Sequence, residues 1–136
     1  MNNEEDTEKD FKMYTNTAHN IYAQNNAGIE SPEKLVAMMY EGVLRFNAQA
    51  RKAIKDESLE KKVYWVNRSV AVITELMSVI DMDQGQISQY LEGLYAYEIQ
   101  LLGLASLEND IDKINEVSNV FKELLAAWRE TTNVDR

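Results

Sequence analysis

Apolar side chains recur at three- and four-residue steps along most of this chain, which is the pattern of amphipathic helices. The clearest start is at Ser31, whose hydroxyl can cap a helix that begins with Pro32 and is predicted to reach Lys55. This helix carries two neighbouring apolar stripes. They are Leu35, Met39, Gly42, Phe46, Ala50 and Ala53, and beside them Val36, Tyr40, Val43 and Leu44. Two stripes cover a wide arc, so we expect one to face a core and the other to need a cover.

Three further helices are predicted, over about residues 59–81, 86–107 and 110–131. The first of these three has an unbroken seam made of Leu59, Val63, Val66, Val70, Ile73, Met77 and Ile80. The next carries Ile87, Leu91, Leu94, Tyr95, Ile99, Leu101, Leu102 and Leu104, and the last carries Ile114, Val117, Phe121, Leu124 and Trp128. Gly42, Gly93 and Gly103 predict points of close backbone approach. Four helices of similar length with short loops predict an all-α fold, an antiparallel up-down four-helix bundle.

The N-terminal part differs from the rest. Residues 1–10 are acidic and predict a disordered tail. Residues 11–25 predict a short extra N-terminal helix, because Phe11, Tyr14, Ala18 and Ile21 share one face. A helix of about 14 residues is marginal alone, so we expect it to dock on the bundle and to detach easily. The predicted domain is residues 11–131, with residues 132–136 frayed.

Composition narrows the range of partners and chemistry. The formal net charge is −9, which disfavours nucleic acid and anionic membrane surfaces. No apolar run approaches the roughly 18 residues of a membrane span, so we expect no membrane insertion. Cysteine is absent, which excludes disulfides and thiol catalysis and suits a cytoplasmic protein.

A metal or cofactor site is not predicted, and neither are catalytic residues. Helical bundles that hold two metal ions use Glu-x-x-His pairs, whereas the one histidine here is His19 and Glu75 stands alone as a candidate inward carboxylate. A calcium loop starting at Asp81 fails, because Gly85 stands where a ligand is needed and Gln86 where glycine is needed.

Two alternatives stay open on these grounds. One is a small all-α enzyme with a cationic pocket built from Arg45, Arg51, Arg68 and Arg129, although a solvated face explains these arginines more simply. The other is a structural helical homodimer in which the N-terminal helix exchanges between subunits.

Several short motifs follow one another in a characteristic order. They are Tyr22-x-x-Asn25, the run Ser-Pro-Glu-Lys-Leu-Val-Ala-Met-Met-Tyr-Glu-Gly at residues 31–42, Arg45-Phe46, Thr74-Glu75-Leu76, Leu94-Tyr95-x-Tyr97 and Ala127-Trp128-Arg129. In this order they resemble the family of FliS flagellar export chaperones, over about residues 14–130.

The resemblance implies a cytoplasmic chaperone, not an enzyme. Such a chaperone binds the disordered C-terminal region of flagellin, prevents premature polymerisation and delivers it to the flagellar type III export apparatus. The resemblance also implies contacts with the export gate and accessory co-chaperones, a monomer or weak dimer when free, and a Tyr-x-x-Asn segment that covers part of the binding surface. The residues that we expect to bind the partner are Ile21, Tyr22, Asn25, Leu35, Val36, Met38, Met39, Tyr40, Leu94 and Tyr95.

Overall fold

The computed structural model describes residues 31–132. This part of the chain forms four α-helices and one short 3-10 helix. They are α1 (Pro32–Lys55), α2 (Leu59–Ser78), the 3-10 helix (Met82–Gln84), α3 (Gln86–Glu108) and α4 (Ile111–Thr132). The predicted all-α class is confirmed. The predicted tail over residues 1–10, the extra N-terminal helix and most of the frayed C-terminus lie outside the described residues, so they stay predictions.

Local capping explains where the helices begin. The Ser31 hydroxyl accepts a hydrogen bond from the Lys34 amide at 3.0 Å, and the Ser58 hydroxyl accepts one from the Lys61 amide at 3.3 Å. Each bond satisfies an amide of the first turn that has no partner within the helix. These starts agree with the prediction, whereas α2 ends at Ser78, three residues before the predicted limit.

Each helix packs against two others, in the cyclic order α1, α2, α3, α4. Two long-range hydrogen bonds show that neighbouring helices are antiparallel. The Trp128 indole N–H at the end of α4 donates to the Glu33 carbonyl at the start of α1, at 2.7 Å. The Lys62 ammonium at the start of α2 donates to the Ser106 carbonyl near the end of α3, at 2.7 Å. These two bonds fix the relative direction of α4 and α1 and of α3 and α2, and the up-down bundle topology stays a prediction.

Most of both apolar stripes of α1 is buried, whereas Leu35, Val36 and Leu44 are half-buried. Met39 and Phe46 pack on the α2 side, where the Phe46 ring stacks on Trp65 with centroids 5.8 Å apart. Tyr40 packs edge-on against Phe121 of α4, at 5.8 Å. Because α2 and α4 flank α1 on its two sides, they cover most of both stripes, and the expected further cover stays a prediction for the half-buried residues at their edges.

The seam predicted for α2 is rotated. Leu59 is 69% exposed and Val70 is half-buried, whereas Lys62 and Ser69 lie inside. These polar side chains are tolerated there because both have partners: Lys62 bonds to α3, and the Ser69 hydroxyl donates to Asn47 Oδ1 at 2.7 Å. A pattern that counts only apolar residues misses such positions.

The predicted close approach at glycines is also wrong. A Cβ built on Gly42 would have its nearest neighbour, the Phe46 ring, at 3.8 Å, which is ordinary contact. A Cβ built on Gly93 or Gly103 would meet no atom of another element of the described chain within 4 Å. Of the described glycines, Gly85 has a positive φ of 74°, at the turn into α3, and there a side chain would be strained.

Candidate functional site

Helix α3 carries two parallel stripes, each with alternating steps of three and four residues. The inner stripe faces the core and consists of Ser88, Leu91, Tyr95, Glu98, Leu102 and Ala105. The outer stripe is displaced by one residue and consists of Ile87, Tyr90, Leu94, Tyr97, Leu101 and Leu104. The outer stripe is the more apolar of the two, although most of it is exposed.

The exposure of the outer stripe is substantial. Ile87, Tyr90 and Tyr97 are 64%, 67% and 56% exposed. Leu94 is half-buried, and Leu101, at the boundary with the core, is buried. Single exposed apolar side chains are normal on a protein surface, but a row of them along one helix marks a candidate binding surface. The tyrosine hydroxyls add polar groups that suit a surface exposed to water at times.

The residues expected to bind the partner fall into three groups. Met39, Tyr40 and Tyr95 lie in the core, at 3% to 4% exposure. Leu35, Val36, Met38 and Leu94 are half-buried, and a partner can reach their outer faces. Ile21, Tyr22 and Asn25 lie outside the described residues. The sequence interpretation did not separate the outer stripe from the inner one, although the steps of three and four residues carry that signal.

The buried tyrosines join three helices. The hydroxyls of Tyr40 and Tyr95 share a hydrogen bond of 2.7 Å, and the Tyr95 ring stacks on Phe121 with centroids 6.1 Å apart. Burial raises the pKa of both phenols, and the neighbouring Tyr40 raises the pKa of Tyr95 further. Both hydroxyls are therefore protonated at any physiological pH, and they hold α1 to α3 as a structural contact.

A cavity of about 280 Å³ opens between α1 and α2. Its walls include Arg45, Phe46, Trp65 and Arg68. Both guanidinium groups lie near the Phe46 ring. The distance from the guanidinium carbon to the ring centre is 4.5 Å for Arg68 and 5.3 Å for Arg45. Such cation–π contacts hold a guanidinium over a ring face.

The four arginines do not share a solvated face. Arg45 is exposed, whereas Arg68 is half-buried at the cavity. Arg51 donates to the Ser118 hydroxyl at 3.2 Å, and Arg129 pairs with Glu41 at 2.8 Å. Two of the four therefore line one cavity and the other two join α1 to α4.

The groove continues past this cavity toward the end of α1. A second cavity of about 350 Å³ shares Gln49 and Trp65 with the first and is also lined by Lys52 and Lys61. Asp56 lies there too, and a hydrogen bond from Lys52 holds its pKa below the usual range. The groove thus combines aromatic rings with cations along two helices.

Glu98 is the buried carboxylate that sequence reasoning missed, while the expected Glu75 is only half-buried. Glu98 is 1% exposed, and its Oε1 atom has no hydrogen-bond partner among residues 31–132. Burial and the charge of Glu116 raise its pKa to about 7. Within residues 31–132 no group of three or more potential ligands could hold a metal ion. None of the described helices is long and apolar enough to cross a membrane.

Comparison with known proteins agrees with the motifs. Residues 14–135 match the family described as "Flagellar protein FliS". The chain is 55% identical over 122 residues to the flagellar secretion chaperone FliS of Campylobacter jejuni, covering 89% of this chain and 95% of that one. It is 27% identical over 127 residues to FliS of Escherichia coli, covering 88% and 92%, and 25% identical over 124 residues to FliS of Bacillus subtilis, covering 91% and 92%.

These relatives are named as chaperones, and the family is not one of enzymes. The enzyme alternative thereby loses its support, even though two arginines line a cavity. The match spans most of this chain and nearly all of the relative from Campylobacter. The chain therefore belongs to the FliS family of flagellar proteins.

Proposed function

We propose that this protein is a cytoplasmic chaperone for flagellin. It binds the disordered C-terminal region of flagellin, keeps it from polymerising early and delivers it to the flagellar type III export apparatus. The names of the relatives support a role in flagellar secretion. The observation that carries the proposal is the outer stripe of α3, an apolar row from Ile87 to Leu104 on the surface of a chain with a net charge of −9.

The outer stripe suits the binding of an amphipathic segment. A helical segment of the client would place its own apolar face, repeating every three to four residues, along the exposed Ile87, Tyr90 and Tyr97. Full burial of a large apolar side chain contributes about 1.5 to 3 kcal/mol relative to exposure, so side chains that are about half exposed contribute roughly half of that each. Three such residues can offset much of the cost of ordering a disordered client.

The N-terminal helix and its motif complete the proposal. Ile21, Tyr22 and Asn25 would belong to a helix that covers part of the binding surface and leaves it when the client arrives. Leu35, Val36 and Met38 would contact the client through their outer faces, and Met39, Tyr40 and Tyr95 would support that surface from within the core. The export gate and accessory co-chaperones are proposed as further partners of the loaded complex, and the free protein as a monomer or weak dimer.

The test measures binding of a fluorescently labelled flagellin C-terminal peptide by anisotropy. A variant with Ile87→Ser and Tyr97→Ser should bind at least about tenfold more weakly, since a loss of 1.4 kcal/mol is tenfold in affinity. Leu107→Ser is the matched control, because Leu107 lies on the same helix, 80% exposed and outside the stripe. Equal affinity of the stripe variant and the control, with unchanged thermal melting of both, would refute this site.

The homodimer alternative makes a different prediction for the same samples. If the outer stripe joins two copies of the chain, light scattering will show a dimer that the Ile87→Ser and Tyr97→Ser variant dissociates. A monomer before and after the substitution excludes that use of the stripe.

A further inference from the structure

The groove between α1 and α2 has a charge opposite to that of the protein as a whole. We call it the basic groove, and it is lined by Met38, Arg45, Phe46, Gln49, Lys52, Asp56, Lys61, Tyr64, Trp65 and Arg68 among other residues. It holds four cations, and Asp56 is the one carboxylate among its lining residues within the described part of the chain. The whole chain has 23 acidic and 14 basic residues. Such a local reversal of charge attracts an anionic segment.

The shape and chemistry of the basic groove narrow the class of ligand. The Phe46 and Trp65 rings are stacked, and the Arg68 guanidinium carbon lies 4.5 Å and 5.4 Å from their centres. The first cavity, at about 280 Å³, is large enough for one aromatic or branched side chain beside these rings. The cations spaced along both helices would meet carboxylates on either side of it. The geometry fits an acidic peptide that also carries an aromatic residue.

We propose that the basic groove binds the acidic N-terminal stretch of this same chain, residues 1–11. That stretch carries Glu4, Glu5, Asp6, Glu8 and Asp10 against a single lysine, Lys9. Phe11 follows the last carboxylate directly and supplies the aromatic side chain for the cavity. The charges of the stretch and of the groove are complementary in sign and similar in number. This inference does not depend on the outer stripe of α3, because the basic groove lies between α1 and α2, and Met38 at its edge is the residue that the two proposals share.

The length of the intervening chain favours an intramolecular contact. The acidic stretch is separated from α1 by the 19 residues 12–30, and the predicted helix over residues 12–25 would by itself span roughly 20 Å. Arg45 lies 14 residues beyond Ser31 along α1, a rise of about 21 Å. A linker whose length matches the span gives an effective concentration in the millimolar range. Individually weak ion pairs then suffice to keep the stretch on the groove for much of the time.

The sequence offers a clean way to observe this contact. It contains no cysteine, so Thr7→Cys places a single nitroxide spin label within the acidic stretch. It also contains two tryptophans, whose indole N–H signals are readily followed by NMR. Trp65 lines the basic groove, whereas Trp128 lies where α4 meets the start of α1 and bonds to the Glu33 carbonyl. Trp128 is therefore an internal reference in the same molecule.

The expected result is several-fold stronger broadening of the Trp65 indole signal than of the Trp128 signal at low ionic strength. At about 0.5 M salt the difference should largely vanish, because exposed charges are screened over a few ångströms. Changing the five acidic residues of the stretch to their amides should abolish the difference as well. Arg45→Glu with Lys61→Glu should do the same from the side of the groove.

The matched control changes exposed charges elsewhere, with Glu92→Gln on α3 and Lys122→Glu on α4, and should leave the broadening intact. Equal broadening of both indoles, or broadening that survives neutralisation of the stretch, would overturn the proposal. A further sample mixes spin-labelled copies with isotope-labelled copies. Broadening of the Trp65 signal in this mixture would show that a second copy supplies the stretch, and that result would also overturn the intramolecular proposal. The experiment contains no flagellin, so its failure leaves the proposed function untouched.

Discussion

Replacing Glu98 with glutamine is expected to stabilise the domain above neutral pH and to flatten its dependence on pH. Glu98 lies in the inner stripe of α3, 1% exposed, with Oε1 lacking a hydrogen-bond partner within the described part of the chain. Burial, and then the charge of Glu116, raise its pKa to about 7. Glutamine has nearly the same shape and carries no charge, so the substitution removes the titration and keeps the packing.

The direction of the effect follows from proton binding. The carboxyl binds its proton more tightly in the folded chain than in the unfolded chain, where its pKa is about 4.5. Below that pH the group is protonated in both states and the folded state carries no penalty. As the pH rises from about 4.5 to about 7, the unfolded state gains from ionisation while the folded state does not, so stability is lost. A shift of this size corresponds to about 3 kcal/mol at pH 8.

Urea denaturation at pH 5, 6, 7 and 8, followed by circular dichroism, measures this loss. The free energy of unfolding of the wild type should fall by up to about 3 kcal/mol more than that of the Glu98→Gln variant over this range. Three carboxyls have lowered pKa values, the exposed Asp56 and Asp81 and the half-buried Asp110, mainly through side-chain hydrogen bonds. Their stabilisation is lost only below about pH 4, outside the range measured.

Glu92→Gln is the control for this measurement, because Glu92 is exposed on the same helix. It should follow the wild type at every pH. Parallel curves for the wild type and Glu98→Gln would show that the buried carboxyl does not bind its proton more tightly in the folded state. That result would also contradict the packing of α3 described above.

Two further predictions concern the core. Tyr95→Phe leaves the buried Tyr40 hydroxyl without its partner at 2.7 Å, and it should lower the free energy of unfolding by about 1 to 2 kcal/mol. The double variant Tyr40→Phe and Tyr95→Phe should lose less than the sum of the two single losses, because neither hydroxyl is then left unpaired. Additive losses in urea denaturation would contradict this coupling. Ile73→Asp should abolish cooperative thermal unfolding because it buries an unpaired charge, whereas Leu59→Asp should melt close to the wild type since Leu59 is 69% exposed; similar melting of both variants would refute the rotated seam of α2.

Helix starts were predictable because their causes are local. A serine hydroxyl such as those of Ser31 and Ser58 caps amides within three residues of itself, and the sequence shows both partners of the bond. The all-α class followed from the same kind of evidence, since steps of three and four residues do not depend on distant parts of the chain.

The rotation of each helix was harder to predict because its causes are distant. Lys62 is buried because its ammonium group donates hydrogen bonds to the Ser106 carbonyl and the Asn109 side-chain oxygen. Both acceptors lie more than 40 residues away in the sequence. Ser69 is inside because Asn47 accepts its hydrogen bond. A buried polar group is acceptable only when such a partner is present, and no pattern of apolar residues reveals the partner.

The candidate surfaces show the same limit. The sequence placed the spare apolar surface on the helix after Ser31, but α2 and α4 bury most of its two stripes, and the longer exposed row lies on α3. The basic groove depends on Arg45 and Arg68, which lie 23 residues apart on different helices. Only the packing of α1 on α2 brings them to one ring, that of Phe46.

The orientation of α3 leaves apolar side chains exposed that another orientation would bury. Had the helix been turned by one residue, Ile87, Leu94 and Tyr97 would enter the core, and the buried Ser88 and Glu98 would reach water. On burial alone that orientation is more favourable, because it removes more apolar surface from water and leaves no carboxyl without a partner. The observed orientation is held by Tyr95, Leu102 and the Lys62 contact instead. The raised pKa of Glu98 and the exposed outer stripe therefore have one cause. A partner that covers the outer stripe would supply the apolar burial that α3 lacks.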